Sequence, residues 1–577
     1  MKPIRWMPEM IEEYTKKGWW NPITWPEIYD HNAFLYADKE AVVSYWKGER
    51  RSVTWKELKQ ITDRLALGLL ELGLKRDDRV LCQLPNCIEN VAVRVACEKA
   101  GLIHCYSAIY TWEIENDYFL RSLEAAAVVT IPQYHGRSHY ELFKGLRSRH
   151  PYFKYLFLIG LEEEVPKEAL SISRMMQTPL EQKYPADYLR KTQVDAYEVS
   201  HVMTTTGTTG LPKLIEASAN SLRIYARGCI ECWKIGTWDI GFTTAFLWSG
   251  SANPVNYVIP QVGGTMVIAE IFEPGQALQI IEKEKPTYYS GFPSQIIDMV
   301  NHPDFDKRRV NSLRFLGFAG APFPKGLARE CEEKIGGLLL NGYGTVDSFS
   351  IFMVSPDDPL EVRLGSVGKV PRWDEYKIVN PETGELIPPG EVGILYWRGA
   401  SGSGGYYEDA EKTVKVWGAL GIDGWCNTED LAKADREGRV WLMGRSRDMI
   451  LRGGQNIFPQ EIEDLLGSHP KVAKACIVPM PDARLGERTC AYVISREGEK
   501  FTLEDMIAYL EEKGLAKYKF PERLEMVREF PMVSGKEDKR ALVSDVCNKL
   551  LKEGELSKEL VDDFAEKGKL RPELLSF

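Results

Sequence analysis

The sequence predicts an α/β protein with largely parallel sheets and helices on their faces. Three observations predict it: strand-like and helix-like segments alternate, glycines stand where the helices should stop, and the short apolar runs read as buried strands. In TWKELKQITDRLALGLLELG, Leu58, Ile61, Leu65, Leu69 and Leu72 recur at helical spacing, Thr54 and Glu57 are placed as a capping box, and Gly73 ends the helix. Val80 to Leu84 reads as a buried strand, Asn86 to Ala100 as a helix closed by Gly101, and Ala127 to Ile131 as the next strand. Between about Leu360 and Trp397 the pattern changes to short strands broken by turns such as NPETGE and IPPGEVG, which predicts a β-rich subdomain without a long helix. From about Asp448 onward, VAKACIVPMPD, TCAYVISREG and LEDMIAYLEEKG alternate on a smaller scale, as in a separate small α+β domain. The last stretch, LLKEGELSKELVDDFAEKGKLRPELLSF, is a charged amphipathic extension with no chemistry of its own. There is no internal repeat and no low-complexity linker.

A chain of 577 residues exceeds what one core holds, and roughly 150 residues per domain gives about four units. With 44% hydrophobic, 27% charged and 11% aromatic residues, the composition is that of a stable globular protein. Lys and Arg number 73 against 83 Asp and Glu, a net charge of −10, which opposes non-specific attachment to nucleic acid or to an anionic lipid surface. The opening MKPIRWMPEMIEEYTKKGWW lacks the apolar run of a secretory signal, and no later run is long enough to span a bilayer, so a cytoplasmic location is expected. The 11 Cys suit reduced thiols better than a disulfide framework. Cys229 and Cys232 have redox or zinc spacing, but SLRIYARGCIECW reads as a helix and no second pair exists, so buried structural thiols are expected.

The most informative segment is HVMTTTGTTGLPKLIEAS, in which a strand from His201 to Thr204 runs into Thr205, Thr206, Gly207, Thr208, Thr209 and Gly210, followed by Pro212 and Lys213. Glycine lets several backbone N–H groups face one anion, the hydroxyls add short donors, and Lys213 adds a positive charge near a terminal phosphate. These are the parts of a triphosphate cradle. The spacing is not that of the GxxxxGK[ST] loop, and KLIEAS reads as a strand rather than a helix. The bland alternative, a Gly/Thr-rich surface turn, is the weaker reading even for the segment taken alone.

TTTGTTGLPK closely resembles the signature of the adenylate-forming superfamily, which holds acyl-CoA synthetases, peptide-synthetase adenylation domains and luciferases. Further segments match in the same order through nearly the whole chain. The resemblance implies a large N-terminal AMP-binding domain, 1–446, of two sandwiched α/β sheets plus the β-rich subdomain, and a small mobile α+β domain, 447–577. LRFLGFAGAPFPKGL resembles the strand and turn against adenine, with Gly320, Ala321 and Pro322 at the matching places. NGYGTVDSF resembles the element bordering the adenine and acyl sites, with Gly342, Tyr343, Gly344 and Thr345, and Asp347 standing where a magnesium-ligating glutamate is usual. GWCNTEDL implies that Asp430 accepts both ribose hydroxyls, a role that suits a carboxylate with two acceptor oxygens. In GRSRDMILRGGQNIFPQEIEDLL, Arg445 would face the ribose, Arg447 would be the hinge, and Gly453 and Gly454 would admit the pantetheine arm of coenzyme A. FPMVSGKEDKRAL resembles the loop that carries the catalytic lysine, here Lys536, whose ammonium would stabilise charge in the pentacovalent transition state.

The chain departs from the pattern at four places. Val346 replaces a frequent Thr, Asp347 a Glu, Glu429 a usual Gly before the ribose aspartate, and Trp248 in AFLWSGSA a frequent His. WMPEMIEEYTKKGWW, TTGLPKLIEAS and EKGLAKYKFPERLEMV resemble the aryl-acid activating branch, the dihydroxybenzoate-AMP ligase-like enzymes. Phe246, Trp248 and Phe292 would line an uncharged, aromatic acid pocket suited to an apolar aliphatic or aryl acid. The implied function is an AMP-forming acid:coenzyme A ligase that uses MgATP, with Lys213 and Lys536 as its catalytic lysines. Three alternatives stay open: loading of an aryl acid onto a carrier protein's phosphopantetheine, a nucleotide-binding protein that has lost catalysis, and luciferase-like oxidation of a special substrate. A homodimer is also open, and the acid is unspecified.

Overall fold

A computed structural model describes the chain except residues 161–164, 205–210, 321, 322, 324, 347, 348, 350, 382, 454, 534, 535 and 577, and the side chains at 325, 326, 456 and 536. The chain divides into two compact units. One comprises Met1–Phe323, Arg329–Tyr376 and Trp397–Cys426; the other comprises Pro324–Ala328, Lys377–Tyr396 and Asn427–Phe577.

The first unit is α/β, as its alternating pattern predicts, and holds two large sheets. In the seven-stranded sheet the order is Leu214–Ser218, Val199–Thr204, Ile103–Tyr106, Arg79–Cys82, Ala127–Thr130, Tyr155–Leu158 and Leu170–Ser171. Only the first pair is antiparallel. The eight-stranded sheet has the order Phe352–Met353, Leu338–Tyr343, Phe315–Phe318, Tyr288–Gly291, Ile240–Thr243, Thr265–Ala269, Glu40–Trp46 and Glu49–Thr54. Its two outermost pairs are antiparallel and the rest parallel.

Local sequence accounts for the element ends. The helix Trp55–Glu71 starts on the expected capping box: Thr54 Oγ1 accepts from Glu57 N–H at 3.2 Å, and Thr54 N–H donates to Glu57 Oε2 at 2.8 Å. Leu58, Leu65 and Leu69 are buried beneath it. The helix Ile88–Lys99 is buried on every face, so its charged residues must be paired: Lys99 Nζ lies 2.7 Å from Asp30 Oδ1, and Arg94, fully buried, donates to Tyr29 Oη at 2.7 Å. The strand expected over Val80 to Leu84 ends at Cys82, although Gln83 N–H still reaches Val129 O at 2.9 Å. Pro85 then removes a donor from the chain. The helix Ala219–Trp233 forms as read, with Cys229 buried and Cys232 half-buried; burial pushes the Cys232 thiol up to about 12. No cluster of three metal-ligating side chains occurs among the described residues. No described helix is long and apolar enough to cross a membrane.

The second unit contains most of a four-stranded sheet in the order Asp374–Val379, Gly393–Gly399, Cys426–Ala434 and Val440–Arg445. It continues into a five-stranded sheet in which Gly486–Ser495 pairs with Val472–Asp482, Ile450–Arg452 and Arg523–Met526. The charged extension is not a loose tail. It supplies the helix Lys558–Glu566, whose Val561 and Phe564, with Leu556 and Leu570, join the core formed by the helix Lys539–Glu553 against Cys476, Val478 and Tyr492.

Candidate active site

The Thr/Gly segment lies between two paired strand ends. Thr204 stands opposite Leu214, so residues 205–213 join antiparallel neighbours that are buried along their whole length. This arrangement separates the segment from loops that run into a helix. Thr205, Thr206, Gly207, Thr208, Thr209 and Gly210 lie outside the described residues. Lys213, half-buried, holds its Nζ 5.6 Å from the ring centre of Tyr406, which itself follows the pair Gly404 and Gly405 that bonds to Glu216. On the entry strand, His201 stands in register with His104, and its Nε2 lies 2.9 Å from Glu98 Oε1. Burial lowers the affinity of both imidazoles for a proton.

Parallel topology gathers the remaining segments of this unit. The strands Ile240–Thr243, Tyr288–Gly291, Phe315–Phe318 and Leu338–Tyr343 point the same way, so the residues that follow them share one edge of the sheet, where open α/β sheets usually hold ligands. After the first of these strands, the buried Asn86 clamps the turn: its Nδ2 donates to Ala245 O at 2.9 Å and Ala269 O at 3.0 Å, while its Oδ1 accepts from Leu247 N–H at 3.0 Å. That clamp presents Phe246 and Trp248 as a stacked pair with centroids 5.8 Å apart and planes inclined by 13°. Tyr110, more than half exposed, stands edge-on to both at 6.1 and 5.7 Å. The Trp248 Nε1–H is buried and has no hydrogen-bond partner among the described residues.

Phe292 follows the neighbouring strand, Tyr288–Gly291. Its N–H donates to Gln295 Oε1 at 3.1 Å, an oxygen that also receives Tyr289 Oη at 2.9 Å. Its ring stands against Gly320, where a Cβ would lie 3.7 Å from Phe292 Cε1, and Gly320 has φ +85°. Ala321 and Pro322 lie outside the described residues. Gly342 and Tyr343 pair with Met353 and Phe352, and the Tyr343 ring packs 5.6 Å from Phe352. Beyond Gly344, Thr345 O accepts from Phe349 N–H at 2.8 Å. Phe349 is buried at φ +54°, a conformation that costs a bulky residue on the order of 1–3 kcal/mol and clusters at functional sites. Asp347 lies outside the described residues.

In the second unit, the antiparallel register sets Asp430 directly opposite Arg445. Arg445 Nε lies 2.8 Å from Asp430 Oδ1; the carboxylate is 7% exposed and the guanidinium 39%. Thus the sequence's two ribose candidates meet across one ladder. Glu429 is exposed at φ +59°, where glycine sits without steric cost, so the backbone accounts for the usual glycine and leaves the glutamate unexplained. Arg447 lies in the turn Ser446–Asp448, half exposed, with Nε 3.8 Å from Asp448 Oδ1. Gly453 adopts φ +55° and donates to Leu485 O at 2.8 Å, and a Cβ there would meet Leu485 Cδ2 at 3.1 Å. Gly454 lies outside the described residues. The backbone of Lys536 pairs with Val533 in a short hairpin, and its side chain lies outside the described atoms.

Sequence reasoning did not find Asn86, Tyr110 or Glu216. Asn86 stands at a helix start that also reads as an ordinary cap. Tyr110 carries no local signal. Glu216 sits inside KLIEAS and is visible only as one carboxylate in an apolar strand.

The model of the AMP-binding enzyme family matches residues 29–407, and that of the AMP-binding enzyme C-terminal domain matches 461–536. The chain is 30% identical over 553 residues to the medium-chain fatty-acid–CoA ligase of Escherichia coli (strain K12), covering 93% of each chain. It is 29% identical over 562 residues to the 2,3-dihydroxybenzoate-AMP ligase of Bacillus subtilis (strain 168), covering 95% of this chain and 98% of that protein. Among solved structures, an anthranilate CoA ligase in complex with anthranoyl-AMP shares the fold, with a TM-score of 0.78 at 23% identity, covering 89% of this chain and 96% of the other. An adenylate-forming class of enzyme is what two α/β sheets with a Thr/Gly loop and a smaller α+β domain define. The chain belongs to the AMP-binding enzymes and is an AMP-forming ligase.

Proposed function

We propose that this ligase couples an apolar aliphatic or aryl carboxylic acid to coenzyme A in two half-reactions. In the first, a carboxylate oxygen attacks the α-phosphorus of MgATP in line and expels pyrophosphate, which yields an acyl-adenylate. The 205–210 loop and Lys213 hold the phosphates, and Asp347 serves the magnesium that arrives with ATP. Gly320, Ala321, Pro322 and the 342–345 segment take the adenine, Asp430 and Arg445 take the ribose, and Lys536 stabilises the charge that develops in the transition state. In the second half-reaction the domain 447–577 turns about Arg447, withdraws Lys536 and brings Gly453 and Gly454 to the pantetheine arm. The thiolate then attacks the acyl carbon and AMP leaves.

The observation that carries this reading is the shared sheet edge, which sets an aromatic stack, Phe246 on Trp248, beside the strand ends that carry the nucleotide segments. Its uncharged lining suits an apolar acid. The curated relatives support both an aliphatic and an aryl substrate, since one is a fatty-acid ligase and another a dihydroxybenzoate ligase. One further reading is delivery of the acyl group to a carrier protein's phosphopantetheine. A cytoplasmic setting accords with the reduced cysteines. The test is AMP release over aliphatic, branched, aromatic and hydroxylated acids, each with free coenzyme A, with a loaded carrier protein, and with no thiol. Thioester on coenzyme A is the expected product. Thioester on the carrier alone would overturn the acceptor, and no AMP with any acid would overturn the reading.

A further inference from the structure

The first unit has a cleft, of about 940 Å³, lined by none of the residues assigned to adenylation. It opens between the hairpin formed by Glu40–Trp46 and Glu49–Thr54, the helix Trp55–Glu71, and the segments that follow Ala127–Thr130 and Tyr155–Leu158. Those two strands are parallel neighbours, so the cleft lies at their carboxyl ends. The chain order adds to this. From Arg79–Cys82 it steps to Ile103–Tyr106 on one side and then to Ala127–Thr130 on the other, and crevices at such reversals commonly take ligands. Glu89, in the first turn of the helix after Arg79–Cys82, reaches into the same cleft.

Glu89 is 2% exposed and only half satisfied. Its Oε1 receives Arg51 Nη2 at 2.5 Å, whereas its Oε2 accepts no hydrogen bond from the described residues. The neighbouring Cys87 thiol, pushed well up by burial and by this carboxylate, is hydrogen-bonded to Glu89, but a thiol is a weak donor and leaves the carboxylate without a strong second one among the described residues. A buried carboxylate oxygen without a donor is costly, and such groups in folded proteins usually have a partner. A second orphan lines the cleft: the Trp46 Nε1–H is buried and has no acceptor among the described residues. Arg51 joins the two, since its guanidinium carbon lies 5.6 Å from the Trp46 ring centre, and Lys47 Nζ stands 4.9 Å over the same ring. Val53, Ile61 and Met176 add apolar wall.

The lining therefore calls for a donor at Glu89 and an acceptor at Trp46, with cations beside the acceptor. An anion alone would meet Glu89 and Glu57, and a cation alone would meet Lys47 and Arg51. We propose that this cleft binds a zwitterionic α-amino acid with an apolar side chain. Its ammonium donates to Glu89 Oε2, its carboxylate accepts from Trp46 Nε1–H beside Lys47, and its side chain lies on the apolar wall. Binding ties the hairpin to the sheet, so it also raises the stability of this unit.

The test uses the full-length chain without ATP, acid substrate or coenzyme A, so that failure here leaves the ligase reading standing. Free amino acids are screened by thermal melting, and those that raise the midpoint are titrated by calorimetry. An apolar amino acid should bind, and its N-acetyl and carboxamide derivatives should not. Trp46→Phe, which keeps the ring, and Glu89→Gln should each weaken binding about tenfold or more, as expected for a lost hydrogen bond to a charged group. If Glu89→Gln does not fold, Trp46→Phe carries the decision. The proposal is overturned if no amino acid shifts the midpoint, if the N-acetyl derivative binds equally well, or if Trp46→Phe binds as tightly as the parent.

Discussion

Glu216→Gln should make the protein increasingly more stable than the parent as pH rises from about 5 to about 8. Glu216 is 1% exposed in the strand that leaves the phosphate loop. Its backbone is pinned on both sides, by Glu216 N–H to Gly405 O at 3.0 Å and Gly404 N–H to Glu216 O at 2.8 Å. A Cβ at Gly404 would lie 2.8 Å from Glu216 Cβ, so the two chains approach too closely for the side chain to swing out on that side. One donor, Ile4 N–H, reaches Oε2 at 2.9 Å. Burial first, and repulsion from Glu408, push the carboxyl from 4.5 up to about 8, against the pull of Ile4 N–H and the chain's amino terminus. Below about pH 4.5 both folded and unfolded chains carry the proton, and the group contributes no pH dependence. Between there and about pH 8 the unfolded chain releases the proton while the folded chain keeps it, so stability falls as pH rises. At about 1.4 kcal/mol for each pH step of one across that window, the loss approaches about 4 kcal/mol at pH 8 and is an upper bound. A glutamine of the same shape does not titrate. Urea midpoints of parent and variant, followed by tryptophan fluorescence from about pH 5 to about pH 8, should diverge steadily in favour of the variant. A difference that stays constant over that range would refute the assignment of a buried, neutral Glu216.

Other consequences are as direct. Glu429→Gly removes a side chain from φ +59° and should stabilise the second unit by about 1 kcal/mol, measured by hydrogen exchange in Cys426–Ala434; a loss of similar size would contradict the strain. Arg445→Ala removes a side chain that is 39% exposed and takes this partner from a carboxylate only 7% exposed, so some stability should be lost with the ion pair. If the pair serves ATP, Arg445→Ala and Asp430→Asn should each cut adenylate formation about tenfold or more with ATP KM raised, the loss of hydrogen bonds to a charged group; a lowered melting midpoint with unchanged ATP KM and turnover would make the pair structural. Trp248→Ala removes one face of the Phe246 stack and should shift acid preference toward bulkier substrates; an unchanged ranking would remove Trp248 from the acid pocket.

Much of the frame was legible because it is written locally. The capping box at Thr54 and Glu57, the glycine stops at Gly73 and Gly101, and the strand that follows Lys213 all depend on neighbours a few residues apart. The resemblance also led to Asp430 and Arg445, yet their contact depends on the register of two strands. The departure at Glu429 could be seen in the sequence, but the strain it carries is a backbone angle that the sequence does not print. What escaped depends on long-range contacts. Asn86 is recognisable as a clamp only once Ala245, Leu247 and Ala269 are folded around it. Tyr110 gains meaning from rings more than a hundred residues away, and the packing of Phe292 against Gly320 likewise joins distant segments. The tail illustrates the same limit: its charged face hid the apolar residues that complete a core.

The central claim is that Lys536 and the Thr/Gly loop act on one phosphorus, and pyrophosphate exchange tests it most directly. The parent should incorporate labelled pyrophosphate into ATP in the presence of its acid. Lys536→Ala should lose that exchange yet still form thioester from a supplied acyl-adenylate and coenzyme A. Exchange that survives in the variant, or equal loss in both assays, would contradict the account.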